Sequence, residues 1–444
     1  MARKYFGTDG IRGKVGEHPM SPEFVLRLGW AAGRVFAAEG TGSVLIGKDT
    51  RISGYMFEAA LEAGFSAAGV NVRMLGPMPT PGVAYLTKTF KASAGVVISA
   101  SHNPYYDNGV KFFAPEGGKL SDELEEAIER QLEQPFSMVG SKQLGKASRV
   151  NDSQGRYIEF CKASLGPGIS LQGMKIALDC GNGATYQVAP MVFSELGAKV
   201  VTCGIQPDGI NINDGCGTMH PESLQALVKE SGADVGLAFD GDGDRVMMVD
   251  RHGRLIDGDG IIYVIASGLL GSDRLKGPVV GTLMSNLGLE LALTGLGVDF
   301  VRTKVGDRYV LESLHERDGI LGGEPSGHVI CLDKASTGDG IISGLRVLGE
   351  MIRSQRQLDE MLEGMVWFPQ VMLNVPTQQA LAISAHPEVI SVVKQVESKL
   401  AGKGRVVLRP SGTEPVVRVM VEGENNLHVT QFAQDIADVV RSVS

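Results

Sequence analysis

The chain has 444 residues, of which 43% are hydrophobic and 21% charged, so it can bury a sizeable core and wholesale disorder is excluded. Its length exceeds the roughly 100 to 200 residues of a single soluble domain, which predicts several domains. The formal net charge of -9 and the pI of 5.5 argue against a nucleic acid partner, because phosphate backbones are bound by clustered Lys and Arg.

The sequence carries no signal for secretion, membrane insertion or a disulfide framework. Its first ten residues contain no apolar leader segment, and the longest apolar stretch, residues 261–270, is too short to span a bilayer. The five cysteines are odd in number and contain no Cys-x-x-Cys pair, so no zinc site is indicated. We therefore predict a cytoplasmic protein with reduced thiols and no membrane partner.

In chain order, one pattern occurs three times: an apolar strand, a turn, a helical stretch, then Gly and a second β-branched strand. The copies lie at residues 44–72, 176–201 and 279–301. Continuous apolar strands separated by a helix favour parallel pairing, so each copy predicts a βαβ crossover. Their wide spacing predicts three related α/β domains with mixed sheets, although any α/β protein can contain such repeated patterns by chance.

The last part of the chain has a different pattern. Strands are predicted at 371–375, 405–408 and 416–421, and helices at 387–400 and 429–440. This irregular alternation predicts a smaller α+β domain. The predicted domains are residues 1–152, 153–254, 255–367 and 368–444.

The first chemical motif is an apolar strand that runs directly into Ser101-His102-Asn103-Pro104. Ser101 would lie at the carboxyl end of this strand, where open α/β sheets bind ligands. Pro104 restricts the backbone before it and would hold the turn in shape. Taken alone, the segment also fits an ordinary polar turn.

The second motif places Asp240, Asp242 and Asp244 at alternate positions after an apolar strand, with glycines between them. Such a run can bring three carboxylates onto one hard cation. An EF-hand is excluded, because Arg245 and Arg251 occupy the positions where that loop needs Gly and Glu. The motif therefore predicts a Mg²⁺ site.

Two later loops carry groups that recognise sugars and phosphates. Gly323–His328 offers a carboxylate, a hydroxyl and an imidazole, although a simple Gly-Pro turn explains it equally well. Arg409–Pro415, followed by Arg418, combines guanidinium groups, hydroxyls and a flexible backbone that can surround an anion. A plain turn between strands is the alternative for this second loop.

The chain pairs a predicted Mg²⁺ site with a phosphate loop but lacks a nucleotide-binding motif. The glycine-rich segment Phe6–Gly13 contains no Gly-x-Gly-x-x-Gly. A serine that carries the phosphoryl group covalently removes the need for an external donor. A metal-dependent phosphatase and a non-catalytic phosphosugar sensor are the rival classes.

These four motifs occur in the order found in the α-D-phosphohexomutases, and they cover the whole length of the chain. The chain thus resembles that superfamily, and the segments 6–13 and 305–310 are most similar to its phosphoglucosamine mutases. The resemblance implies four domains around a central cleft, with Ser101 phosphorylated in the active enzyme. The expected partner is a small phosphosugar, and the chain is expected to be a monomer or a homodimer.

The implied reaction interconverts glucosamine 6-phosphate and glucosamine 1-phosphate through a bound glucosamine 1,6-bisphosphate, supplying amino-sugar precursor for UDP-N-acetylglucosamine and cell-wall synthesis. A phosphomannomutase or phosphoglucomutase on the same scaffold is the alternative. The implied cofactors are one Mg²⁺ per chain, the bisphosphate intermediate and the covalent phosphate on Ser101.

The motifs and the resemblance together give three sets of site residues. The expected catalytic residues are Ser101, His102, Lys111, Arg12 and His328. The expected metal ligands are Ser101, Asp240, Asp242 and Asp244. The expected substrate-binding residues are Arg245, Lys304, Arg308, Glu324, Ser326, Arg409, Ser411, Gly412, Thr413 and Arg418.

Overall fold

The computed structural model describes residues 4–7, 9–38, 42–377, 379–410 and 415–444. The larger of two units comprises Met1–Thr282 and Thr303–Leu362, and the smaller comprises Leu283–Arg302 and Glu363–Ser444. Within these described ranges, no helix combines the length and the apolar character that crossing a membrane requires.

The first region of the larger unit is a six-stranded mixed sheet with strand order β1-β5-β4-β2-β3-β6. The predicted crossover is confirmed, because β2 and β3 pair in parallel around α2. β4 is buried along its whole length, as expected for a central strand covered on both faces. The elements are β1 (Ile11–Lys14), α1 (Pro22–Ala38), β2 (Ser43–Lys48), α2 (Ile52–Ala67), β3 (Asn71–Pro77), α3 (Thr80–Thr89), β4 (Ala94–Ile98), β5 (Asp107–Phe113), α4 (Asp122–Leu132) and β6 (Ala147–Arg149), with a 3₁₀ turn at Ser141–Gln143.

The second region is a five-stranded sheet with order β11-β10-β9-β7-β8. β7 pairs in parallel with β8 and β9, which confirms the second predicted crossover, whereas β10 runs antiparallel to β9. The hairpin between β9 and β10 contains the three aspartates. The elements are α5 (Ser153–Ser164), β7 (Lys175–Asp179), α6 (Val188–Glu195), β8 (Lys199–Cys203), α7 (Glu222–Ser231), β9 (Val235–Phe239), β10 (Val246–Asp250) and β11 (Leu255–Ile256).

In the third region, β12 pairs in parallel with β14, and β14 pairs antiparallel with β15. The helix and second strand predicted for the third copy of the repeat are present as α9 and β13, and both, apart from Thr303, belong to the smaller unit. The elements are α8 (Gly258–Gly271), β12 (Val279–Thr282), α9 (Leu287–Gly295), β13 (Phe300–Thr303), α10 (Asp307–Glu316), β14 (Leu321–Gly323), β15 (Val329–Cys331), α11 (Gly340–Ser354) and α12 (Leu358–Met361).

The C-terminal segment is α+β, as the sequence predicted. Its antiparallel sheet has the order β16-β18-β17, and the two long helices bury their apolar residues in a common core with the sheet. The elements are β16 (Gln370–Pro376), α13 (Ala380–Ser384), α14 (Pro387–Leu400), β17 (Gly404–Pro410), β18 (Val416–Gly423) and α15 (Asn426–Ser442).

Candidate active site

Ser101 lies in the turn that follows β4, and its side chain points at the aspartate hairpin. The residue is 1% exposed, and its Oγ donates a hydrogen bond to Asp240 Oδ2 at 2.6 Å. The Nδ1 atom of His102 lies 3.3 Å from the same Oγ. The backbone of Ser101 has a φ of 52°, in the left-handed region that residues with a Cβ rarely adopt. The turn therefore holds the hydroxyl in one uncommon orientation.

The hairpin glycines allow this approach. A Cβ atom on Gly241 would lie 2.6 Å from the carbonyl oxygen of Ser101, which is closer than any side chain tolerates. Gly243 has a φ of 73° and would place a Cβ 2.6 Å from the Thr185 side chain. The glycines between the aspartates are thus required by contact with neighbouring backbone and side chains.

The three aspartates form one buried cluster. Each offers an oxygen that lies within 4.8 Å of the others, and all three side chains are buried. Burial, followed by the charges of Asp242 and Asp244, raises the pKa of Asp240 well above its ordinary value. Such repulsion is relieved by a bound cation.

The donor set fits a divalent metal ion of the Mg²⁺ type. All candidate ligands are oxygens, the atoms that hard cations prefer. Asp242 Oδ1 and Asp244 Oδ1 are buried and accept no hydrogen bond from any residue that the structure describes. These oxygens can therefore bind a metal ion without giving up a hydrogen bond.

Lys111, on β5, is the main protein cation in the cluster. Its Nζ lies 2.8 Å from Asp242 Oδ2, 3.0 Å from Asp9 Oδ2 and 3.4 Å from Asp244 Oδ2. Burial disfavours the ammonium group, but the carboxylates, Asp242 first, outweigh that effect and raise the pKa of Lys111. Arg12 pairs with the same Asp9 oxygen. The two predicted cations thus meet at one carboxylate.

The two predicted histidines have opposite electrostatic environments. Burial opposes charge on His328, but Asp244 and then Asp307 outweigh it and raise the pKa to about 9. Its Nδ1 lies 3.6 Å from Asp244 Oδ1. Burial, with Arg245 and Arg12 nearby, lowers the pKa of His102 to about 4. The surrounding charges thus favour the imidazolium form of His328 and the neutral form of His102.

The Gly323–His328 loop lies against the same hairpin. Val246 N, at the start of β10, donates a hydrogen bond to the Gly327 carbonyl oxygen at 3.0 Å. Glu324 is buried, and its Oε1 accepts a hydrogen bond from Gly306 N at 3.0 Å. The hydroxyl of Ser326 is buried without a hydrogen-bond partner among the described residues. A carboxylate and a hydroxyl are thus held close to the aspartate hairpin.

The other predicted substrate residues differ in their surroundings. Arg245 lies next to the cluster, with its Nε 3.9 Å from Asp244 Oδ1. Arg308 instead pairs with Asp122 and Glu125 on α4, at 2.5 and 3.5 Å. Lys304 is exposed, with its Nζ 5.6 Å from the Tyr309 ring centroid. Of these three residues, only Arg245 thus lies beside the aspartate cluster of the hairpin.

The predicted phosphate loop belongs to the smaller unit. Arg409 and Arg418 are directly opposite each other on β17 and β18. Ser411, Gly412 and Thr413 lie outside the described residues.

Sequence reasoning missed two charged groups of the site. Asp9 accepts ion pairs from Lys111, Arg12 and Lys119, and these cations, Lys111 first, overcome burial and hold its pKa well below the ordinary value. Lys119 also pairs with Asp307 at 2.7 Å. Asp9 could have been found from its position in the glycine-rich segment Phe6–Gly13, whereas no sequence pattern marked Lys119.

Comparison with known proteins places the chain in a family. The four models of phosphoglucomutase/phosphomannomutase match it in order: alpha/beta/alpha domain I at residues 3–137, domain II at 156–253, domain III at 257–367 and the C-terminal domain at 372–439. The chain belongs to the phosphoglucomutase/phosphomannomutase family.

Among the relatives of this family member, a phosphoglucosamine mutase of Alkalilimnicola ehrlichii is 59% identical over 99% of the chain and 98% of that protein. A phosphoglucosamine mutase of Aeromonas hydrophila is 59% identical over the full length of both. The fold is shared with a phosphoglucomutase/phosphomannomutase family protein of Burkholderia thailandensis, with a TM-score of 0.81 at 24% identity, covering 98% of this chain and 97% of that one.

The fold is also shared with the N-acetylphosphoglucosamine mutase of Aspergillus fumigatus, whose structure holds GlcNAc-6P and magnesium. The TM-score is 0.71 at 17% identity, covering 99% of this chain and 96% of that one.

Proposed function

We propose that the chain is a phosphoglucosamine mutase that interconverts glucosamine 6-phosphate and glucosamine 1-phosphate. The observation that carries this proposal is the Ser101 hydroxyl, held 2.6 Å from the buried carboxylate of Asp240. The full-length relatives at 59% identity bear that name and support the choice of sugar. The activity is that of an isomerase, because the phosphoryl group only changes its position on the sugar.

In this proposal, Ser101 carries the phosphoryl group. The bond between Ser101 Oγ and phosphorus breaks as the phosphorus bonds to the free sugar hydroxyl, whose proton ends on Ser101 Oγ. The resulting bisphosphate turns over, and its other phosphoryl group returns to Ser101 in the reverse chemistry. No phosphate is consumed or released, so glucosamine 1,6-bisphosphate is an intermediate and not a product.

Ser101, Asp240, Asp242 and Asp244 would hold the Mg²⁺ ion. Bound there, it would supply positive charge against the oxygens of the transferring phosphoryl group. The chain supplies further positive charge from Lys111, which is fixed by three carboxylates. Arg12, His102 and His328 complete the proposed surroundings of the reacting oxygen, because their side chains all lie close to the Ser101–aspartate cluster or its ion pairs.

Sugar recognition is assigned to the buried groups beside the hairpin, and phosphate recognition to the C-terminal loop. Glu324 and Ser326 present a carboxylate and a hydroxyl that can bind sugar hydroxyl or amine groups. The proposed remaining contacts are those of Arg245, Lys304, Arg308, Arg409, Ser411, Gly412, Thr413 and Arg418.

We also propose four domains at residues 1–152, 153–254, 255–367 and 368–444. The four matched family ranges each fall inside one of them. The proposed location is the cytoplasm, and the proposed assembly is a monomer or a homodimer.

The deciding experiment is direct observation of the product from glucosamine 6-phosphate by phosphorus NMR, with Mg²⁺ and a trace of bisphosphate. Ser101→Ala should lower turnover at least about a thousandfold, because it removes the group that bonds to phosphorus. Intact-mass measurement should find one phosphoryl group on the wild type and none on Ser101→Ala. Ser267→Ala is the matched control, because within the described part of the chain its hydroxyl hydrogen-bonds only to the Tyr263 carbonyl oxygen of its own helix.

Full activity in Ser101→Ala would contradict the proposal. Faster turnover of mannose or glucose 6-phosphate would identify the alternative mutase on the same scaffold. Net release of inorganic phosphate would identify a phosphatase, and binding without turnover or phosphoserine would identify a sensor.

A further inference from the structure

Arg51, in the turn between β2 and α2, is a fully buried arginine that the proposed reaction does not use. Its guanidinium employs all five N–H groups that an arginine possesses. The Nε atom donates to Asp49 Oδ2 at 2.7 Å. The two Nη atoms donate to four carbonyl oxygens of the turn after β4: Ser101 at 2.9 Å, Asn103 at 2.8 Å, Asp107 at 3.1 Å and Pro104.

The network around Arg51 holds both backbone polar groups of Ser101. The Ser101 N–H donates to Ser99 Oγ at 2.9 Å, and that hydroxyl donates to Asp49 Oδ2 at 2.6 Å. The Ser101 carbonyl accepts from Arg51 and, at 3.0 Å, from Asn213 Nδ2. Asp49 thus connects the hydrogen bonds on the two sides of Ser101.

This network explains how Ser101 keeps its unusual backbone. A residue with a Cβ at a φ of 52° is disfavoured relative to ordinary conformations, so surrounding bonds must hold it there. A change of φ at Ser101 would swing the side chain and move Oγ away from Asp240. The orientation of the hydroxyl therefore depends on the groups that hold the Ser101 peptide units.

The residues next to Arg51 are themselves attached to the second region. Thr50 Oγ1 donates to the Asn182 carbonyl at 2.5 Å, and Ile52 N donates to the Gly209 carbonyl at 2.8 Å. Those loops follow β7 and β8, in the sheet that also carries the aspartate hairpin. Arg51 is thus fixed relative to the metal-binding carboxylates as well as to the serine turn.

We propose that Arg51 is a positioning residue for phosphoryl transfer, which it serves by holding the Ser101 turn in register with the aspartate hairpin. The inference rests on the proposed mutase function. Arg51 itself contacts neither sugar nor phosphate in this role. Lysine cannot replace it, because an ammonium group offers three donors at one point instead of five in a planar fork.

A second buried ion pair provides a matched control. Lys48 and Glu58 pair with each other in the same region, and both side chains are almost completely buried. Neither of their charged groups hydrogen-bonds to the 101–107 turn in the described contacts. Glu58→Gln therefore disturbs a buried charge near Arg51 without touching the Ser101 network.

The first measurement is steady-state mutase kinetics of the full chain. Arg51→Lys should lower kcat at least about 100-fold, because small displacements of a reacting group have effects of that size. KM for glucosamine 6-phosphate should stay within about threefold, because sugar binding is separate from the positioning of Ser101. Glu58→Gln should keep both constants within about threefold of the wild type.

The second measurement, hydrogen exchange followed by mass spectrometry, does not depend on turnover. Arg51→Lys should speed exchange in peptides covering residues 99–107, and Glu58→Gln should not. If Arg51→Lys does not fold, Asn213→Ala replaces it, since it removes one of the two donors to the Ser101 carbonyl. That variant should lower kcat about tenfold, and its KM for glucosamine 6-phosphate should stay within about threefold of the wild-type value.

The outcomes distinguish the two proposals. A wild type without mutase turnover refutes the proposed function, and hydrogen exchange then still decides whether Arg51 holds the turn. An active wild type whose Arg51→Lys variant keeps its kcat, or whose 99–107 exchange is unchanged, overturns the positioning role. An equal loss of kcat in Glu58→Gln would also overturn it, because the effect would then be one of general stability.

Discussion

Lys111 is predicted to stabilise the protein by neutralising buried carboxylates, and Mg²⁺ should partly replace it. The side chain is 3% exposed, and its Nζ lies within 3.4 Å of Asp242, Asp9 and Asp244. Lys111→Met keeps the stem and removes the charge. Removing one partner of a buried ion pair costs about 3 to 5 kcal/mol, so we expect a loss of that size in the free energy of unfolding.

The raised pKa of Lys111 means that its contribution is fully present at neutral pH and is lost only as the pH rises through the folded-state value. Mg²⁺ that binds only the folded state, at a hundredfold excess over its dissociation constant, raises the free energy of unfolding by about 2.7 kcal/mol. The gain should be larger in Lys111→Met than in the wild type, because the competing ammonium is absent from the carboxylates.

The assay is urea unfolding with and without Mg²⁺, in a Trp367→Phe background. The chain has two tryptophans, so fluorescence then reports on Trp30 alone, which is buried in the same region as Lys111. This choice isolates one transition in a protein of several domains. The reasoning would be refuted if Lys111→Met lowered the free energy of unfolding by less than about 1 kcal/mol. It would also be refuted if Mg²⁺ raised that free energy equally in the variant and the wild type.

Two further predictions follow from buried contacts. Gly241→Ala should lower kcat about 100-fold, because its Cβ would lie 2.6 Å from the Ser101 carbonyl oxygen. An unchanged kcat would show that the turn can move to accommodate the Cβ without displacing Ser101. Burial raises the pKa of Asp339 to about 6, so the folded state binds an extra proton between about pH 4 and 6 and stability from this group falls as the pH rises. Asp339→Asn should therefore be about 3 kcal/mol more stable than the wild type at pH 7 and equal to it at pH 4; a constant difference at both pH values would contradict this.

Much of the fold could be predicted because its signals are local. The succession of apolar strand, helix and strand predicted the crossovers of the first two regions, and in both regions the two strands pair in parallel. The strand-to-turn junction before Ser101 and the alternating aspartates after β9 were likewise visible within a few residues of sequence. Burial of these strands requires such patterns, so the patterns are readable without the tertiary structure.

The partners of the site could not be predicted in the same way. The hydrogen bond from Ser101 to Asp240 joins residues 139 positions apart, and the one from Lys111 to Asp242 joins residues 131 apart. No pattern in the sequence singled out Arg51, and no local signal predicted that Arg308 pairs with α4.

The sequence by itself determined the chemical groups and the strand ends on which they lie, because residue type and short-range spacing are local properties of the chain. Only the tertiary structure decided which charges neutralise the aspartates and which arginine holds the serine turn, because those contacts depend on how separate sheets pack together.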